Sequence, residues 1–155
     1  MKKSFYLLLF LSAVSLSFSF NEPSSETQEL NWVSDFDHAL KLAKKSDKPL
    51  LVFFTGSDWC GPCKLLEKDF FESTEFQNVA KNDLILYKAD FPRRRDLVSA
   101  EQKKRNAELQ HKYGVRGYPT IIILNGNGNI LERQVGYNRN FGAEEHFKML
   151  KRITK

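Results

Sequence analysis

Residues 50–64 read Leu50-Leu51-Val52-Phe53-Phe54-Thr55-Gly56-Ser57-Asp58-Trp59-Cys60-Gly61-Pro62-Cys63-Lys64. Leu50 to Phe54 is a continuous apolar run containing a valine and two phenylalanines. It is too short for an ordinary helix and suits a strand buried on both faces. Thr55 to Asp58 breaks that strand. A helix is then expected to open at the cysteines, with Leu65, Leu66, Phe70 and Phe71 on its buried side.

Cys60 and Cys63 are the only two cysteines in the chain. A bridge between them closes a tiny loop and removes little entropy from the unfolded chain, so it is a poor structural staple. A chain of 155 residues also has length enough to build a core without one. The pair is therefore read as chemistry. Only a thiolate attacks a disulfide, and an ordinary thiol is mostly protonated at neutral pH. The first turn of a helix favours a negative charge through its unpaired amides and its dipole. Cys60 is thus expected to be the nucleophile, exposed and acidified. Pro62 fits a first turn because its missing amide would have had no partner there. Cys63, one turn on, is placed to attack a mixed disulfide as the resolving thiol. The rival reading is half of a zinc site, which needs two further ligands. His38, His111 and His146 stand singly on separate expected helices, so no metal and no bound cofactor is expected beyond the cysteine couple itself.

Outward from this stretch, Val33, Phe36, Leu40 and Ala43 recur at helical steps, with Ser34 or Asp35 as the cap and Lys48-Pro49 as the end. Ser73-Thr74-Glu75 starts a shorter helix, and Leu84 to Ala89 reads as a second strand. A loop from Asp90 to Arg95 precedes a charged helix over roughly Leu97 to Tyr113. Ile121 to Leu124 is a third strand, Asn125-Gly126-Asn127-Gly128 a turn, Asn129 to Val135 its hairpin partner, and Ala143 to Ile153 a closing helix. This order predicts an α/β fold: a mixed sheet with helices on both faces and an antiparallel hairpin at its edge.

The first residues have the layout of an export signal. Lys2 and Lys3 precede an apolar run from Phe5 to Leu16, and Ser17 and Ser19 suit a cut before Phe20. The expected organisation is a signal over 1–19, a polar lead-in over 20–32, and one domain over 33–155. A retained N-terminal anchor is the alternative, although the run is short for a membrane span. Loss of 1–19 lowers the formal charge from +5 to +3. That excess does not call for nucleic acid as a partner. Arg93-Arg94-Arg95 and Lys103-Lys104-Arg105 are diluted by Asp96, Glu101 and Glu108, and read as a solvated face.

Trp59-Cys60-Gly61-Pro62-Cys63-Lys64 resembles the active-site signature of thioredoxins, and Val115-Arg116-Gly117-Tyr118-Pro119-Thr120 is similar to that family's second landmark. The likeness extends over about Val33 to Ile153. Glu67 to Phe71, Ser73 to Phe76 and Leu84 to Asp90 look most like exported thioredoxin-like reductases, such as the C-terminal domain of DsbD and the chlamydial DsbH type. The resemblance implies a thioredoxin-like fold with a cis Tyr118–Pro119 bond. It also implies that Pro119 packs beside the cysteines and that the Tyr118 backbone pairs with an extended substrate. Trp59, Gly61, Pro62 and Lys88 would support the site, with Trp59, Tyr118 and Pro119 meeting substrate. Lys88 and Asp90 resemble residues closing the family's central strand. The partners implied are disulfide-containing proteins and a membrane thiol relay as electron donor, with the chain itself a monomer.

Two departures stand out. Thioredoxins bury an aspartate in the strand before the cysteines, where this chain has Leu51 to Phe54; Asp58, Glu67, Lys88 or water must take its place. The segment from Phe91 to Gln110 is also longer than the compact family pattern, and reads as an elongated helix or a docking surface for a redox partner. A reductase is the favoured function because the Gly-Pro spacer resembles the strongly reducing members. An oxidase or isomerase, and a redox-inert binding module, are the alternatives.

Overall fold

The computed structural model describes residues 30–154; the expected signal over 1–19 and residues 20–29 of the expected lead-in lie outside the described residues. Helix α1 spans Phe36–Ser46, with the Asp35 carboxylate accepting the His38 amide N–H at 2.6 Å as its cap. Strand β1 is Leu50–Thr55, buried along its whole length. Helix α2, Gly61–Leu66, starts at the cysteines and widens into a π-turn over Glu67–Phe71, where the Glu72 amide reaches Glu67 O at 2.9 Å. The turn's extra residue lets Phe70 and Phe71 both face inward, whereas Leu65 is only half-buried. Helix α3 is Thr74–Asp83, capped by Ser73. Strand β2 is Ile85–Asp90, helix α4 Ala100–Lys112, strands β3 and β4 Thr120–Leu124 and Ile130–Val135, and helix α5 Glu144–Ile153.

The sheet order is β2-β1-β3-β4. β1 runs parallel to β2 and antiparallel to β3, and β4 closes the hairpin as an outer strand. Leu51 and Phe53 face a cluster with Leu66, Phe70, Phe76, Ile121, Met149 and both cysteines. Leu50, Val52 and Phe54 face the opposite cluster, with Phe36, Ala43, Tyr87, Leu109 and Ile122. Side chains alternate across a strand, so burial on both faces requires an unbroken apolar run. Burial of one such phenylalanine contributes about 1.5–3 kcal/mol, which makes β1 the hinge of both layers.

Two expectations change. Helix α4 begins at Ala100 and not near Leu97, because Ser99 and Gln102 form a reciprocal capping box. β1 and β3 hold the interior of the sheet, so Lys88 and Asp90 lie on an outer strand. That strand's far side is met by Trp32, which bridges to Leu86.

Candidate active site

Cys60 and Cys63 form a disulfide with an S–S distance of 2.04 Å. Cys60 caps α2, and its Sγ accepts the Cys63 backbone N–H at 3.3 Å. Pro62 sits in the first turn, and both Gly61 and Pro62 are exposed. Cys60 is only 4% exposed and Cys63 not at all, which corrects the expectation of an open nucleophile. The cause is packing: both cysteines belong to the core cluster against which Tyr118 lies. The remaining access is on the Cys60 side.

The Tyr118–Pro119 bond is cis, and Pro119 is buried at the start of β3. Tyr118 is half-buried, with its hydroxyl accepting from Gln110 Nε2 at 2.9 Å. Burial raises its phenol pKa above the ordinary value. Trp59 meets Tyr118 edge-on at 5.9 Å and is 39% exposed. Gly56 is required beneath that indole, since a Cβ there would come within 2.4 Å of the ring.

Residues 91–99 close around this surface. Trp59 Nε1–H donates to Phe91 O at 2.8 Å, and the Phe91 ring lies 5.1 Å from Tyr118. The Asp58 carboxylate accepts the backbone N–H groups of Arg93 and Arg94 at 3.0 and 2.9 Å. Those amides, Arg94 first, hold its pKa below the ordinary value. Arg93 places its guanidinium 5.2 Å from the Trp59 ring. The segment is thus a loop docked on the site followed by α4, and not an elongated helix alone.

Asp58 is therefore committed to the loop. Glu67 and Lys88 instead meet each other, Lys88 Nζ to Glu67 Oε1 at 2.9 Å and partly exposed. Lys88 stands beside Phe53 in the parallel register and 5.1 Å over the Trp32 ring. Phe53 occupies the strand where the family's aspartate would lie, so the charged pair is built from α2's extension and β2. His38 and His111 are exposed, while His146 is buried on α5 against Phe70. Among the described residues, no three His, Cys, Asp or Glu side chains converge as metal ligands.

Asp90 was marked by resemblance alone, and Asn106 and Gln110 were not singled out at all. Asp90 accepts the Ser57 N–H at 2.9 Å and its hydroxyl at 2.6 Å, tying the turn before the cysteines to the end of β2. Asn106 accepts from the Tyr87 hydroxyl at 2.6 Å and donates to Asp90 O at 2.9 Å. One signal was present: Asn106 lies in step with Leu109 and Tyr113, a polar residue on the apolar stripe of α4. Gln110 carried no such mark.

The family model for the thioredoxin-like domain matches residues 36–152. The disulfide bond reductase DsbH of Chlamydia pneumoniae is 35% identical over 114 residues, which cover 74% of this chain and 67% of that protein. The thioredoxin-related protein DsbJ of the same organism is 31% identical over 138 residues, 89% of this chain but 37% of DsbJ. The solved structure of a DsbH oxidoreductase superposes with a TM-score of 0.70 at 33% identity, covering 81% of this chain and 85% of that one.

Proposed function

The chain belongs to the thioredoxin-like family, and from that premise we propose that it is an exported reductase of protein disulfides. Thiol–disulfide exchange at Cys60 and Cys63 is the coarser activity, and thioredoxin-like oxidoreductases act on protein disulfides. The observation that carries the exchange chemistry is the Cys63 amide aimed at Cys60 Sγ at the start of α2. In the reduced protein that N–H stabilises a thiolate on Cys60 at the helix start. The Cys60 thiolate attacks one sulfur of a substrate disulfide, and the other sulfur leaves as a thiolate that takes a proton from solvent. Cys63 then loses its proton and attacks Cys60 Sγ. The Cys60–Cys63 bond forms, the mixed disulfide breaks, and the second substrate thiol departs. Two electrons pass to the substrate.

The reductive direction is supported by likeness to DsbH and by the Gly-Pro spacer. The test is reduction of insulin by the mature protein with dithiothreitol as electron source. Cys60→Ser is expected to abolish turnover and Cys63→Ser to accumulate mixed disulfides. Normal turnover by Cys60→Ser would overturn the assignment.

Export rests on the basic start, apolar run and small residues of 1–19. A processed chain beginning at Phe20 in the exported fraction is the expected mass-spectrometric result; an intact cytosolic chain would contradict it. A reductant in an oxidising compartment needs electrons, so a membrane thiol relay is its proposed donor.

A further inference from the structure

The loop following β2 is docked on Trp59 and Asp58, which lie next to the disulfide in sequence. Its backbone is fastened to the site at three points: Phe91 O on Trp59, and the Arg93 and Arg94 amides on Asp58. The Phe91 ring and the Arg93 guanidinium therefore stand at the rim of the surface formed by Trp59 and Tyr118, with Arg95 two residues beyond.

The charge on that rim is positive in excess. Arg94 is paired with Asp96 at 2.6 Å, and the Asp58 carboxylate, bonded to two amides, also lies in the field of Arg93. Arg93 and Arg95 are exposed, and neither forms an ion pair among the described residues. Two lysines deepen the field while bound to carbonyl oxygens: Lys64 Nζ lies on Asp58 O at 3.1 Å, and Lys103 Nζ on Arg95 O at 2.7 Å. Arg116 is exposed two residues before Tyr118. Of the acids that dilute the cluster in sequence, Asp96 is bonded to Arg94 and also lies in the field of Lys103, and Glu108 is drawn off to Arg105 on α4.

We propose that Arg93 and Arg95 are specificity-determining residues that favour protein disulfides flanked by acidic side chains. This rests on the reading that Cys60 attacks a disulfide in an extended polypeptide. Cys60 is nearly covered, so a substrate strand must lie across Trp59 and Tyr118 to reach it. Its residues next to the reacting cysteine then pass beneath the Arg93 guanidinium, which the Trp59 contact holds at the rim. Carboxylates there meet an excess of positive charge; lysines meet repulsion.

The test uses the reduced Cys63→Ser variant and three peptides differing only in Glu, Gln or Lys on both sides of a cysteine. Each cysteine is capped as its nitrothiobenzoate disulfide. Attack by Cys60 forms the Cys60–peptide disulfide and releases nitrothiobenzoate, whose colour gives the rate. At low ionic strength the Glu peptide is expected to react about five- to tenfold faster than the Gln peptide, and the Lys peptide more slowly than either, with the spread shrinking in salt. The double variant Arg93→Gln/Arg95→Gln should bring the Glu-to-Gln ratio below about two, and Arg93→Glu/Arg95→Glu should invert the preference. Equal rates for the three peptides, or a ratio untouched by both double variants, would overturn the inference while leaving the thiol chemistry standing. Equal rates together with retention on phosphatidylglycerol vesicles would assign the arginines to a membrane surface and also overturn it. Failure of all three peptides to react would instead remove the proposed function, and the inference with it.

Discussion

Two sulfurs three residues apart behave differently because one of them ends a helix. The amide of Cys63 points at Cys60 Sγ, and the Cys63 side chain is wholly enclosed. Which thiol caps the helix could be read in the sequence, because spacing and Pro62 fix it. The near-burial of Cys60 could not, since it depends on a core cluster gathered from elements distant in the chain. Nor could the pairing of Lys88 with Glu67, which needs both the β1–β2 register and the π-turn. A second buried residue has a measurable consequence. His146 is 2% exposed and packed on Phe70 and Tyr137, and desolvation lowers its pKa to about 4. The unfolded chain binds that proton near pH 6.5, so between pH 6.5 and 4 the unfolded state holds more protons. Stability is therefore present above pH 6.5 and lost as pH falls through this window. Urea unfolding should show a loss of about 2 kcal/mol between pH 7 and pH 5 from this group, absent in His146→Leu. An equal loss in that variant would show that other groups govern acid sensitivity.

At the level of elements, β1 was the most legible part of the chain, because an unbroken apolar run has few other uses. The hairpin followed from Asn125 to Gly128, where the Asn125 side chain accepts the amides of Asn127 and Asn129. A loop was expected over Asp90 to Arg95, but its docking was not, because its anchors are Asp58 and Trp59, more than thirty residues away, and local pattern carries no trace of such contacts. Gly56 is similar: it was legible as a strand break, but its need to be glycine comes from the indole resting on it. Gly56→Ala should drive the ring off, break the Trp59–Phe91 hydrogen bond and lower the rate of insulin reduction. In a Trp32→Phe background Trp59 is the sole tryptophan, and its emission should shift towards that of a solvated indole. Unaltered emission would mean the turn absorbs the methyl group without moving Trp59.

Over the whole molecule, sequence order was enough for the architecture. Short crossovers and a right-handed parallel connection leave few ways to arrange these strands, and β2-β1-β3-β4 is one of them. The result places the cysteine turn, the cis-Pro loop and the arginine loop at one end of the sheet, where Phe54 pairs with Thr120 and Thr55 with Asp90. What the fold leaves open is the direction of electron flow, since the same scaffold serves reductants and oxidants. The reductive proposal is tested most directly by equilibrating the mature protein with glutathione and measuring the reduction potential of the Cys60–Cys63 couple. A reductase is expected to lie near or below about −270 mV, the thioredoxin range. A value near about −120 mV would make the protein an oxidant and contradict the proposal.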